Sequence, residues 1–172
     1  MSLPDDLLEQ AGHLASRERT RPKQASLRRA ISVSYYAVFH LLVDDATKLI
    51  LPGQSDKGSR GRVGRTFDHG AIKKVCLAFW GKLKASEDVV RLVQAYPQVP
   101  AEPIVVISAF VDLQDARHEA DYNTARRYTR QEATSFVDRA HRAFAAWKLV
   151  RNHPVARTYL IALVAWKKWD HL

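Results

Sequence analysis

The sequence predicts an all-α protein, a bundle of five to seven helices with no sheet. Nearly every segment repeats its apolar residues at three- and four-residue spacing, and none alternates as a half-buried strand would. Several segment boundaries also carry helix-capping residues. At 172 residues the chain suits one domain spanning 1–172, large enough to bury a real core.

The first helix is expected from a Ser2 cap, with Pro4 near its start and Asp5 and Asp6 in its first turn, and should run to about Arg17. Pro22 opens a long second helix through SLRRAISVSYYAVFHLLVDDATKLI. Leu27, Ile31, Tyr35, Val38, Leu42 and Leu49 trace one of its faces, and Val33, Tyr36 and His40 a second, mixed one. A helix apolar on two sides belongs at the centre of a bundle. Residues 52–66, PGQSDKGSRGRVGRT, are expected to be loop, because glycine is poor helix material.

Asp68 should cap a helix containing AIKKVCLAFW, and SEDVVRLVQAYP should add a short one ending near Pro97. Glu102 and Pro103 start the helix that carries IVVISAFVDLQDARHEA. Thr129 and Glu132 form a capping box opening a long helix faced by Ala133, Phe136, Val137, Ala140, Phe144 and Trp147. Pro154 stops or kinks it before a terminal helix, VARTYLIALVAWKKW.

The net charge of +9 favours polyanions, meaning nucleic acid or an anionic membrane surface. Cys76 is the only cysteine, which excludes an intrachain disulfide and argues against a cysteine-based metal site. The acidic start MSLPDDLLEQ lacks a signal-peptide core, and the longest apolar run, YLIALVAW, is far short of the roughly 20 residues of a membrane span. A cytoplasmic protein without membrane association is expected.

Seven histidines, at 13, 40, 69, 118, 141, 153 and 171, form no HxxxH or HExxH pair, so no metal site is expected. The glycine-rich loop has Arg65 where a phosphate-binding loop needs lysine and follows no strand. No cofactor is implied. Cys76 lies in an apolar helical stretch and reads as a small buried residue.

Two basic segments remain. Lys57, Arg60, Arg62 and Arg65 lie close together with no acid among them, on a loop whose mobile charges could settle on phosphates. Arg126, Arg127 and Arg130 surround Tyr128, offering guanidinium groups and an aromatic ring for base stacking. The competing reading of both is a solvated surface.

LRRAISVSYYAVFHLL, FDHGAIKKVCLAFW and LVDLQDARHEADYN together resemble the HEPN superfamily of all-helical prokaryotic domains. The likeness is to its branch with a YYAxFH helix and a later RxxxDY element, here Tyr35–His40 and Arg117–Tyr122, and it spans residues 25–150. His69 before an apolar helix also resembles that branch. The resemblance implies an up-down helical bundle, here with an extra C-terminal helix, that pairs through its long helices into a homodimer.

Many members of that superfamily are metal-independent endoribonucleases in toxin–antitoxin or phage-defence systems, using an arginine and a histidine in an R-x(4–6)-H motif. Others are non-catalytic nucleotide-binding or protein-interaction modules. An antitoxin or a nucleotidyltransferase-like protein is the partner these settings imply. Here the positions four to seven beyond Arg117 hold Asp121, Tyr122, Asn123 and Thr124, and histidine stands at 118 instead. Adjacent helical residues point about 100° apart.

Metal-free RNA cleavage needs a base, an acid and a cation on the phosphate. Arginine offers a permanently charged bidentate fork, and histidine titrates near neutrality. The candidate catalytic residues are therefore Arg117 for the phosphate, His118 for proton transfer with His69 or His40 as substitutes, and Asp121 to orient a basic group. Tyr122 could bind phosphate or stack on a base. The competing reading is a local Arg117–Asp121 ion pair with its less favourable basic-before-acidic order, and packing for Tyr35 and Tyr36.

Overall fold

The computed structural model describes residues 2–79 and 100–169, with side chains to residue 165. Every regular element among the described residues is helical: α1 (Leu3–Ser16), α2 (Gln24–Ile50), α3 (Lys57–Gly64), α4 (His69–Phe79), α5 (Glu102–Tyr122), α6 (Arg130–Val150) and α7 (Pro154–Trp169). These helices pack as a bundle. The short helix expected at SEDVVRLVQAYP lies outside the described residues.

Helix ends fall where local chemistry places them. Asp5 reaches back to the Ser2 backbone N–H at 3.1 Å and its hydroxyl at 2.6 Å. The Ala71 N–H donates to Asp68 at 2.8 Å, capping α4. At α6 the box is reciprocal: Thr129 N–H donates to Glu132 at 2.7 Å, and Glu132 N–H to the Thr129 hydroxyl at 3.2 Å. Pro154 stands at the first position of α7, where its missing N–H costs nothing.

The expectation of loop across 52–66 is corrected. A 3-10 turn at Gln54–Asp56 leads into α3, glycines included. Glycine costs about 1 kcal/mol against alanine inside a helix, and a tertiary contact offsets that cost. Arg60 donates to the carbonyls of Leu51 and Gly53 at 2.8 and 2.7 Å, tying α3 to the chain that leaves α2. Gly64 fits beside Val43, whose methyl would sit 3.4 Å from a Cβ.

Two compact units divide the chain, with boundaries inside α2, α5 and α6. The first is Met1–Leu41 with Ala109–Ala145. Its core gathers Ala11 and Ala15 of α1, Leu27, Ala30, Ile31 and Val33 of α2, Ala120 of α5, and Ala133 and Val137 of α6. From Ala30 to Phe39 every residue of α2 is buried except Tyr36, as a central helix requires. Tyr35 packs on Phe110 with ring centroids 5.4 Å apart.

The second unit is Leu42–Ser108 with Ala146–Leu172. There α4 meets α7, where the Tyr159 ring stands edge-on to Phe79 and its hydroxyl lies 3.0 Å from Cys76 Sγ. Burial pushes the Cys76 thiol up to about 12, against the lowering effect of that contact. The thiol is therefore protonated and inert near neutrality, as its apolar setting implied. Among the described residues no helix is long and apolar enough to cross a membrane.

Candidate functional site

Arg117 lies on α5, in the first unit, with its side chain 23% exposed. Its Nη2 donates to the Tyr36 hydroxyl at 2.9 Å, and its Nε lies 2.8 Å from Asp121 Oδ2. That second contact is close but poorly directed, because Nε is buried without a properly aligned acceptor. It acts as an ion pair more than as a hydrogen bond. The guanidinium carbon stands 5.6 Å from the ring centroids of both Tyr36 and Tyr122.

Partial burial alone would lower the pKa of Arg117. The hydrogen bond to Tyr36 and the charges of Tyr36, Asp121 and Tyr122 outweigh it and raise the value, so the group is always cationic. No partner among the described residues engages Nη1. The guanidinium is thus held at one edge and open at the other, the arrangement that lets an arginine receive an anion without being reordered.

Two further side chains assemble this cluster. The Ser32 hydroxyl donates to Asp121 Oδ1 and holds the carboxylate under Arg117. Arg28 gathers the last carbonyls of α5 and the chain beyond, donating to Ala120 at 2.7 Å, Asn123 at 3.0 Å, Thr124 at 3.3 Å and Arg126. A cation on orphan carbonyls is favourable chemistry at a helix C-terminus. It sets the direction of the chain after Tyr122. Sequence reasoning missed Ser32 and Arg28, and for Tyr36 it weighed packing and a place in the YYAxFH element but no bond to Arg117. The signals for Tyr36 were its position on the mixed face of α2 and its place in the YYAxFH element.

His118 is exposed, and Tyr122 joins it to Arg117: the Tyr122 ring lies 4.9 Å from the His118 ring and 5.6 Å from the Arg117 guanidinium carbon. Tyr122 itself is 64% exposed, leaving a ring face available for stacking. Arg117, His118, Asp121 and Tyr122 therefore form one cluster at the end of α5. His40 lies half-buried on α2, edge-on to Phe39 at 5.2 Å. His69 is half-buried at the first residue of α4, in the second unit.

The basic residues divide between the units. In the first, Arg127 is exposed, and Arg126 lies 4.8 Å over the Tyr128 ring and 3.7 Å from Glu132. Tyr128 is 3% exposed, which corrects its reading as a base-stacking ring. Its main chain is clamped by Gln24, which accepts from the Tyr128 N–H and donates to its carbonyl, both at 2.8 Å. Arg130 is engaged internally, donating to the carbonyls of Glu18 and Arg19. In the second unit, Lys57, Arg62 and Arg65 are exposed on or beside α3, whereas Arg60 is bound to carbonyls. Their charges ride on a helix, which corrects the expectation of a mobile loop.

Chemically, the α5 cluster offers a fixed cation, an exposed aromatic face and an exposed imidazole within two helical turns. Comparison of the chain with family models, with curated proteins and with solved structures finds no match.

Proposed function

We propose that this protein is a HEPN-type RNA-binding protein that cleaves RNA without metal at the end of α5. The observation that carries the reading is Arg117, positioned by Tyr36 and Asp121 and open at Nη1. Arg117 receives the phosphate, Tyr122 stacks on a neighbouring base, and His118 moves the proton. Arg126 and Arg127 add charge for the backbone of the strand, and the second unit by itself offers Lys57, Arg62 and Arg65 to phosphates. Two copies pair through their long helices so that the α5 clusters share a groove. The setting is a cytoplasmic toxin–antitoxin or phage-defence system, with an antitoxin as partner.

A second reading is favoured by the closure of Asp121 and Tyr36 onto Arg117, which spends part of its hydrogen-bonding capacity within the chain. In that reading the protein binds a nucleotide, or a nucleotidyltransferase-like partner, and does no chemistry. Incubating mixed RNAs in EDTA with the wild type, Arg117→Ala and His118→Ala separates the two. Cleavage by the wild type that both substitutions abolish supports the nuclease. Binding by fluorescence anisotropy without cleavage supports the second reading. A wild type that neither binds nor cuts RNA sinks the first reading, as does equal cleavage by all three proteins.

A further inference from the structure

A cavity of about 390 Å³ opens beside the turn joining α6 to α7, lined by Asp45, Leu49, Arg151, Asn152, Arg157 and Leu160. All six residues belong to the second unit, and none takes part in the α5 cluster. The volume is that of a site for a small organic molecule.

Its walls have a definite chemistry. Asp45 is 8% exposed, and both of its oxygens are in use: Oδ2 accepts from Trp147 Nε1 at 2.7 Å and Oδ1 from Arg151 Nη2 at 3.1 Å. The carboxylate therefore anchors Arg151 and offers little to an incoming donor. Arg157 and Asn152 are exposed, and neither side chain has a partner among the described residues. With Asp45 answered by Arg151, the charge of Arg157 is in surplus. Leu160 and the half-buried Leu49 supply an apolar wall.

We infer that this cavity binds a small phosphate monoester carrying an apolar or aromatic body. Two guanidinium groups and an amide offer more donors than the two oxygens of a carboxylate can use, whereas a terminal phosphate presents three acceptor oxygens. The leucines take the body of the ester. A polymer backbone would need a stripe of surface cations, and here two exposed guanidinium groups stand at a cavity with an apolar side.

Isothermal titration calorimetry of the full chain with phenyl phosphate tests the assignment, with inorganic phosphate and phenol as comparators. Saturable binding of phenyl phosphate is expected, tighter than that of either fragment. Arg157→Gln should weaken it by about tenfold or more, the effect of losing a charge-assisted contact. Leu49→Ala should narrow the gap between phenyl phosphate and inorganic phosphate. Arg142→Gln, an exposed arginine of the first unit, should bind as the wild type does. Absence of saturable heat overturns the inference, as does undiminished binding by Arg157→Gln. Displacement of phenyl phosphate by a short uridylate oligonucleotide that binds more tightly would reassign the pocket to a nucleic-acid backbone.

Discussion

Asp45 bridges Trp147 and Arg151 from a nearly buried position near the end of α2. Replacing it with alanine strands the indole N–H in the core and releases Arg151 from its ion pair. The half-exposed Arg151 regains water, so the unsatisfied indole dominates. Asp45→Ala is expected to destabilise the fold by about 2 kcal/mol, lowering the thermal midpoint by roughly 4–8 °C, readable by circular dichroism. Cys76 makes a prediction about pH. Folded Cys76 keeps its proton to about 12, while the unfolded thiol has the ordinary value of 9.0. Its contribution to stability is therefore full below pH 9 and declines as pH rises towards 12. Tyr159, raised by burial above 10.0, acts in the same direction. Urea midpoints should fall across that window, and less steeply in Cys76→Ala.

At the scale of elements, α3 shows a helix made from unfavourable residues. A side-chain carbon added at Gly58 or Gly61 would meet nothing within 4 Å, whereas Gly64 packs against Val43. Gly58→Ala with Gly61→Ala should stabilise the protein by up to about 1 kcal/mol at each site, raising the urea midpoint. An unchanged midpoint would mean that α3 contributes nothing to the folded state's stability, and a lowered one that the added carbons clash there. The α6 box supplies the complementary case: Thr129→Ala removes the acceptor for the Glu132 N–H and should cost about 1 kcal/mol. The box was legible because its donors and acceptors lie three residues apart. α3 was not, because Arg60 is what secures it, and nothing in the glycine pattern announces that contact.

For the whole molecule the governing quantity is the charge of +9. If the protein binds single-stranded RNA as proposed, log affinity should fall linearly with log salt, by about 0.7 for each phosphate neutralised. Arg117→Gln should flatten that slope by roughly one contact, and Arg130→Gln should leave it unchanged, since Arg130 is occupied by carbonyls. Fluorescence anisotropy across a salt series measures both slopes. A slope insensitive to Arg117 would detach the α5 cluster from RNA. Pairing through the long helices makes a separate demand: light scattering should return close to twice 19.5 kDa.

The sequence by itself determined the all-α class, the centrality of α2 and the starts of α1, α4 and α6. Those features rest on periodicity and on contacts within four residues, which a linear pattern records directly. It also marked Arg117, Asp121 and Tyr122 as one cluster, since they share one helical turn and its neighbour. Only the tertiary structure decided how that cluster is built. Tyr36 meets Arg117 across 81 positions, Ser32 meets Asp121 across 89, and Arg28 reaches Ala120 across 92. The same packing buried Tyr128 and tied down Arg60 and Arg130, removing them from the exposed basic surface. Whether an arginine faces water or a carbonyl depends on which segments the fold brings beside it, and no local spacing encodes that.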